Sequence, residues 1–163
     1  MTKKRGLFKK IFMGLLILIV IALIGGYIYL RHISTRALPD YNENVSLKGI
    51  KGKVTVYRDG YAIPHIFAEN EADLYRAVGY VMALDRLWQM DLLRRATAGR
   101  LSEIFGNELV QTDILMRSLR IPEKSAKVIK QTDPSIIAAL EAFADGVNQF
   151  IDGNMDNLPP EFT

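Results

Sequence analysis

A run of 20 residues without a charge, residues 11–30 (IFMGLLILIVIALIGGYIYL), constrains the fold of this 163-residue chain more than any other feature. An α-helix rises about 1.5 Å per residue, so the run is long enough to span a bilayer hydrocarbon core of about 30 Å. Five Lys or Arg residues precede the run, whereas Arg31 and Arg36 follow it closely. This asymmetry predicts a single-pass membrane protein with a cytoplasmic N-terminus and the bulk of the chain in the periplasm or at the cell surface.

A cleaved signal sequence is the alternative interpretation of the same run. The apolar core of a signal sequence usually has about 7–15 residues and ends in small residues. The run here is longer, and residues 31–36 (RHISTR) offer no clean cleavage site. We therefore expect a basic cytoplasmic segment (1–10), a transmembrane anchor (11–30), a linker (31–44) and an extracytoplasmic region (45–163).

The formal net charge of +3 comes from the basic residues around the apolar run. Of the 21 Lys and Arg residues, 7 lie at or before Arg36, whereas all 18 Asp and Glu residues lie after it, so the remainder carries 14 − 18 = −4. A nucleic-acid partner requires a basic face on the folded part, so we expect no nucleic-acid partner. The chain has no cysteine, which excludes disulfide bonds, thiolate nucleophiles and Cys-ligated zinc within it.

Alternating apolar residues predict strands at the start of the extracytoplasmic region. A period of two, typical of half-buried strands, occurs at Val45 and Leu47 and again at Val54 and Val56. The dipeptide at 59–60 (DG) supplies a turn, and residues 63–67 (IPHIF) resume an extended pattern. Because proline cannot donate to a ladder, the second strand is expected at an edge. We predict a β-hairpin over residues 53–67.

A long helix is predicted to follow the hairpin. Asn70 can cap it with its side-chain oxygen, and Asp73 lies favourably in the first turn. Gly99 and Gly106 are the expected stops. Helical spacing predicts a buried stripe that runs through Asp85 and consists of Leu74, Val78, Val81, Trp88 and Leu92.

A second clear helix is predicted near the end of the chain. Asp133 is its expected cap, Pro134 its first residue and Gly153 its stop. A shorter helix is expected within residues 122–131. The apolar residues that the second helix is expected to bury are Ile136, Leu140, Phe143, Val147 and Ile151.

Four motifs together resemble the start of the penicillin acylase family. These are the N-terminal-nucleophile amidases that include penicillin G, cephalosporin and acyl-homoserine-lactone acylases. The resemblance covers about residues 54–162, and its strength lies in the order and spacing of the motifs. The motifs are 58–66 (RDGYAIPHI), 79–90 (GYVMALDRLWQM), 94–103 (RRATAGRLSE), and 144–148 (ADGVN) followed by 158–162 (LPPEF).

Two residues depart from the family pattern. Ala62 lies where the family usually has Gly, and Leu84 replaces a Gln before Asp-Arg. If the backbone at Ala62 requires a positive φ, the replacement costs on the order of 1 kcal/mol of strain. The departures concern local turn geometry and leave the resemblance intact.

The resemblance implies an α+β protein, of which this chain is a fragment of an N-terminal-nucleophile αββα fold. It implies a precursor that cuts itself into an α chain, a spacer and a β chain beginning with a serine. The serine hydroxyl then attacks the amide carbonyl of a small-molecule N-acyl substrate, and its own α-amino group accepts the proton. On this interpretation the nucleophile lies beyond residue 163, the β chain of the same precursor and the membrane are partners, and calcium is possible in the full-length protein.

We therefore expect no catalytic, cofactor-binding or metal-binding residue within this chain. His65 is interpreted as a structural, hydrogen-bonded histidine, because no serine or acidic partner is spaced as a triad. Asp59 and Asp85 could be paired carboxylates or calcium ligands. A charge on an apolar helical stripe needs a partner, so buried ion pairs between hairpin and helix are the preferred interpretation. The candidate partners of Asp85 are Arg58, Arg86 and Arg94.

A complete small membrane-anchored binding module is the rival hypothesis. Such a module would hold a partner or ligand without catalysis. The last residues, 158–163 (LPPEFT), lie within a family motif, which favours an incomplete penicillin-acylase-like α-chain region at residues 45–163.

Overall fold

The computed structural model describes residues 3–36 and 40–162. It contains six α-helices within those ranges, one two-stranded sheet and three short 3-10 turns. The chain divides into two units, one formed by Met1–Leu38 with Asn157–Thr163 and the other by Pro39–Asp156. The two units are described in turn.

Helix α1 (Lys3–Arg36) dominates the first unit. It continues beyond the uncharged run at both ends, and the stretch Lys9–Thr35 has a mean hydropathy of 2.8. Its large apolar side chains from Ile11 to Leu30 are exposed. By length and composition α1 can cross a membrane, although a signal sequence passes the same test.

A β-hairpin opens the regular structure of the second unit. Strand β1 (Thr55–Arg58) pairs antiparallel with β2 (Pro64–Phe67), with Tyr57 opposite His65. This confirms the predicted hairpin. The strand predicted at Val45 and Leu47 is wrong, because residues 43–47 have no regular structure. The main chain just beyond them, at Lys48, bonds to a glutamine side chain of a helix.

Helix α2 (Glu71–Ala98) follows, and its ends are formed as predicted. The Asn70 side chain accepts from the Asp73 N–H at 2.9 Å. At the other end Gly99 has φ 64°, a left-handed conformation that favours glycine. Sequence periodicity did not indicate the kink at Arg86, where φ is −145° and ψ is 26°.

Three shorter helices connect α2 to the last helix. They are α3 (Ser102–Phe105), α4 (Val110–Ser118) and α5 (Ile121–Ile129), of which α5 matches the short helix expected near residues 122–131. Helix α6 (Pro134–Gly153) then begins after Asp133, whose side chain accepts from the Ser135 N–H. The predicted cap, first residue and final residue of this helix are confirmed.

Helices α2 and α6 pack together through two glycines. A Cβ atom at Gly79 would collide with the carbonyl oxygen of Phe143, and one at Gly146 would collide with that of Arg76. The backbones of the two helices therefore approach more closely than residues with side chains allow. Helix α2 buries Ala77, Val81, Ala83 and Leu87 at this core, and helix α6 buries Ala142 and Phe150.

This close approach explains why the predicted burial of α6 is partly wrong. Ile136 and Leu140 were expected inside, yet they are 53% and 54% exposed. The contact runs along the line of Ala142, Gly146 and Phe150 instead. The stripe predicted on α2 is partly confirmed: Val81 is buried, whereas Leu74, Val78, Trp88 and Leu92 are half-buried.

Candidate functional site

Asp59 organises the turn of the hairpin. One carboxylate oxygen accepts from the N–H groups of Tyr61 and Ile63 at 2.9 and 3.0 Å, and the other lies 3.2 Å from Nε2 of His65. The Ile63 N–H, the His65 ring and the Tyr61 N–H together hold the pKa of Asp59 below its ordinary value. His65 is therefore hydrogen-bonded, as predicted, and its structural role stays a prediction.

The same turn contains the strained residue that the sequence suggested. Ala62 has φ 61°, and its N–H bonds to the Asp59 carbonyl oxygen at 2.9 Å. This is the left-handed region, where a Cβ atom is unfavourable by about 1–2 kcal/mol. The condition under which strain was expected at Ala62, a positive φ, is therefore met.

A two-pronged ion pair joins the hairpin to α2. Arg58 donates through Nη1 and Nη2 to the two oxygens of Asp85 at 3.0 and 2.9 Å, and Nη1 also donates to the Ala62 carbonyl. The two charged side chains are 14% and 18% exposed. The Arg58 guanidinium also lies 3.9 Å above the centre of the Tyr41 ring. Of the three candidate partners of Asp85, the structure selects Arg58.

A cleft of about 720 Å³ lies between residues 40–56 and one face of α2. The helix contributes Tyr80, whose ring packs edge-on against Phe150 with centroids 5.5 Å apart. Burial and the negative charge of Glu43 raise the pKa of the Tyr80 hydroxyl. Ser46 lines the cleft, but neither histidine does. The described lining of the cleft therefore contains the Tyr80 and Ser46 hydroxyls and the carboxylates of Asp40 and Glu43, but no histidine.

Buried Asp73 holds the chain just before the hairpin. Its carboxylate accepts from the N–H groups of Lys51 and Gly52 at 2.9–3.1 Å and from the Asn70 amide at 2.7 Å. Burial alone raises the pKa of Asp73, but these hydrogen bonds outweigh burial and lower it. A carboxylate that accepts several hydrogen bonds remains charged and fixes its donors.

The chain before the hairpin is also held to α6, through Arg76, Asp145 and Gln149. Arg76 donates to Asp145 at 2.5 Å and to the Gly49 carbonyl at 3.1 Å. Gln149 bonds both the N–H and the carbonyl of Lys48, at 2.7 and 3.0 Å. The Arg76 guanidinium lowers the pKa of Asp145. We call this set, together with Asp73 and residues 48–52, the polar clamp.

A second buried carboxylate, Asp113, shapes the connection after α2. It accepts from the N–H groups of Leu101 and Ser102 and from the Ser102 hydroxyl, at 2.6–2.8 Å. Burial raises the pKa of Asp113, yet these bonds lower it overall. Beside it, Arg117 donates to the Gly99 carbonyl at 2.8 Å. The third motif therefore folds around an aspartate outside that motif.

The serine hydroxyls with hydrogen bonds in the described ranges donate to carbonyls or carboxylates. Ser34 and Ser118 donate to main-chain oxygens within their helices, and Ser102 and Ser135 donate to Asp113 and Asp133. Within residues 3–36 and 40–162, no hydrogen bond joins a serine to a histidine. The acceptor that would activate a serine is therefore not a histidine of this part of the chain.

Four aspartates in the described part of the chain, Asp59, Asp73, Asp85 and Asp113, are occupied by hydrogen-bond donors. Across the described ranges, no three His, Asp or Glu side chains lie close enough to share a metal ion. The carboxylate oxygens of Asp59, Asp73 and Asp113 accept from N–H groups, and Asp85 accepts from the Arg58 guanidinium. These donor sets do not fit a calcium site, which needs several oxygens free to converge on one ion.

The sequence did not indicate the polar clamp or the role of Asp113. Asp73 bonds to residues 21 and 22 positions earlier, Asp113 to residues 11 and 12 positions earlier, and Arg76 to a residue 69 positions later. Pairings at these separations depend on tertiary packing. Only the Asn70 to Asp73 spacing carried a local signal, which indicates a helix cap.

Comparisons with known proteins agree with this arrangement. The sequence profile described as penicillin amidase matches residues 53–163. Penicillin acylase 2 proenzyme of Pseudomonas sp. strain SE83 is 42% identical over 115 residues, which cover 71% of this chain and 15% of that protein. Acyl-homoserine lactone acylase QuiP of Pseudomonas fluorescens is 33% identical over 124 residues, covering 76% of this chain and 15% of that protein.

A solved structure shows the same similarity in three dimensions. The thermostable penicillin G acylase from Alcaligenes faecalis superposes with a TM-score of 0.60 at 30% sequence identity, covering 69% of this chain and 61% of that one. The chain spans about 15% of the length of the curated relatives it matches. From its family match and these relatives, the chain belongs to the penicillin amidase family.

Proposed function

We propose that this chain is the N-terminal part of a longer, membrane-anchored amidohydrolase that cleaves the amide bond of an N-acyl small molecule. The observation that carries the proposal is the family match over residues 53–163. The relatives are named as penicillin and acyl-homoserine lactone acylases. Both names describe substrates in which an acyl group is held by an amide, so an N-acyl amide is the shared chemical class.

The nucleophile in this proposal is a serine at a newly formed N-terminus, outside residues 1–163. Its hydroxyl attacks the amide carbonyl while its own α-amino group accepts the proton, the amine product leaves, and water then releases the acid. The ordinary pKa of an α-amino group, about 7.7–8.0, suits a base near neutral pH. A serine inside a continuous chain has no such amine, which applies to Ser46, Ser102, Ser118, Ser125 and Ser135.

Within this proposal the described residues form a scaffold for an αββα fold. The Arg58–Asp85 pair fixes the hairpin against α2, and the polar clamp fixes α2 against α6. Calcium remains possible in the longer protein, and Asp59, Asp73, Asp85 and Asp113 would not hold it, because they already accept from other donors. The partner of the scaffold is the β chain of the same precursor.

We also propose that α1 anchors the protein with its N-terminus inside. The support is the apolar stretch Lys9–Thr35 and the five basic residues before residue 11. A reporter enzyme fused after Arg36 tests this topology. Activity of a reporter that works only outside the cytoplasm is expected, and activity of a cytoplasm-only reporter would refute it. Release of the mature protein into the soluble fraction would indicate a cleaved signal instead.

Kinetics with matched variants test the proposed chemistry. Hydrolysis of chromogenic N-acyl amides would be measured for this chain and for the longer protein, with each serine after the anchor and His65 changed in turn to alanine. We expect no turnover by the chain alone. In the longer protein we expect turnover that survives each serine replacement in folded protein. Turnover by the chain that disappears with one replacement would refute the proposal.

A further inference from the structure

Helix α5 (Ile121–Ile129) contributes almost nothing to the core. Ile121 is half-buried, and every other residue of the helix is exposed. Val128 and Ile129 are 63% and 53% exposed, and Leu119 just before the helix is 44% exposed. An exposed helix of a soluble surface normally presents polar residues to water, so this apolar content needs an explanation.

The apolar and the basic residues of α5 lie on different sides of the helix. At 100° per residue, Ile121, Pro122, Ser125, Val128 and Ile129 fall within one arc of the helix, while Lys124, Lys127 and Lys130 fall on the remainder. The lysines therefore border and oppose the apolar face. Long basic side chains beside an apolar face are typical of helices that lie in a membrane interface.

The charge of this segment is opposite to that of its surroundings. Residues 114–131 contain five basic residues and one acidic residue, Glu123, which gives 5 − 1 = +4. The whole chain after Arg36 carries −4, so the rest of it carries −4 − 4 = −8. A local positive patch on an otherwise acidic region is complementary to an anionic surface.

We propose that α5 lies on the surface of a bilayer that contains anionic lipids, with its apolar face toward the acyl chains and its lysines toward the headgroups. The inference rests on the proposed membrane anchor. Helix α1 ends at Arg36 and the second unit begins at Pro39, so the proposed anchor and that unit are adjacent in the sequence. The anchor would therefore keep this region near the bilayer, where a short helix with a few cations adds a second, weaker attachment.

Another segment of the longer protein could cover the same apolar face. A protein partner would bury Val128 and Ile129 without needing the lysines that border them. The charge pattern therefore favours a lipid surface, and burial by protein becomes one outcome of the test.

Because the chain has no cysteine, a single introduced cysteine can be labelled specifically. The full chain carrying Val128→Cys, or Glu141→Cys on α6 as control, would be labelled with an environment-sensitive fluorophore. Each protein would be reconstituted into phosphatidylcholine vesicles with or without phosphatidylglycerol, with brominated acyl chains as quencher. Flotation with the vesicles reports the anchor independently of the label.

In anionic vesicles we expect quenching and a blue shift at position 128 that are absent at position 141. Both effects should fall to the control level in high salt, in neutral vesicles, and with Lys124→Glu, Lys127→Glu and Lys130→Glu combined. The combined Lys→Arg changes at the same positions should preserve them, because charge is kept.

The other outcomes refute the α5 inference, the anchor or the role of the lysines. Flotation without quenching at position 128 overturns the α5 inference and leaves the anchor standing. Failure to float overturns both. Quenching that is equal in neutral vesicles or at position 141 overturns the role of the lysines. In the longer protein, protection of position 128 from aqueous iodide without lipid quenching would assign the face to a protein partner.

Discussion

The polar clamp and helix α5 lie in the same unit of the chain but are held in opposite ways. In the clamp, Asp73 is fully buried and bonded to main-chain N–H groups. Next to Asp145 of the clamp, Gly146 lets α6 approach α2. In α5 every residue except Ile121 is exposed. The difference separates a region held by buried hydrogen bonds from a helix whose side chains face outward.

The largest effect is expected from a methyl group at the helix crossing. Gly146→Ala places a Cβ against the Arg76 carbonyl, and this overpacking should cost about 3 kcal/mol of unfolding free energy. The fluorescence of Trp88, the single tryptophan, would follow unfolding of the full chain in detergent. Gly153→Ala, which meets nothing within 4 Å, is the matched control and should be neutral or stabilising by up to about 1 kcal/mol.

The unfolding free energy should respond much less to a change in α5. Val128→Ala removes two methyl groups from a side chain that is 63% exposed, so its effect should also lie within about 0.5 kcal/mol. Equal losses for Gly146→Ala and Val128→Ala would contradict the distinction between the two regions.

Acid should next weaken the polar clamp and the contacts of Asp113. The pKa values of Asp73, Asp113 and Asp145 are lowered in the folded chain, so their stabilisation is present above the unfolded value of about 3.9 and is lost as the pH falls through the folded values. Urea midpoints measured from pH 7 to about pH 3 should therefore fall with pH. Asp73→Asn should flatten this dependence, and an unchanged slope would contradict the assignment.

A smaller loss of unfolding free energy is expected at the contact between the hairpin and α2. Arg58→Lys keeps the charge but removes the fork on Asp85 and the stacking on Tyr41, which should cost about 1–2 kcal/mol. Arg86→Lys is the control, because Arg86 is exposed and follows Asp85 in the motif at residues 79–90. If both variants unfold at the same urea concentration, the two-pronged pair is not a stabilising contact.

The smallest effect should be a gain in stability. Ala62→Gly relieves the positive φ of 61° but loosens the unfolded chain, so the net stabilisation should be about 0.5–1 kcal/mol. Ala68→Gly, at a residue without a positive φ, should be destabilising by about 0.4–1 kcal/mol. Thermal melts of the two variants should therefore move in opposite directions.

The parts of the fold that were predictable depend on local chemistry. The Asn70 and Asp133 caps, the turn after β1 and the strain at Ala62 each involve residues within a few positions of one another. The exposure of Ile136 and Leu140 depends instead on a crossing between α2 and α6, about 70 residues apart, that a periodicity of 3.6 cannot reveal.

The candidate site shows the same limit. The sequence indicated that Asp85 needs a cation and that His65 is structural, since both follow from residue type and position. It did not indicate Asp113, whose partners Leu101 and Ser102 become neighbours only after α2 ends and α4 returns. The motif resemblance over about residues 54–162 agrees with the family match over residues 53–163.

We propose that this chain is a scaffold for a nucleophile located elsewhere. This is tested by treating the longer, active protein with a serine-reactive sulfonyl fluoride and identifying the modified peptide by mass spectrometry. We expect modification of one serine at a newly formed N-terminus outside residues 1–163, together with loss of amide hydrolysis. Stoichiometric modification of Ser46, Ser102, Ser118, Ser125 or Ser135 with the same loss of activity would contradict it.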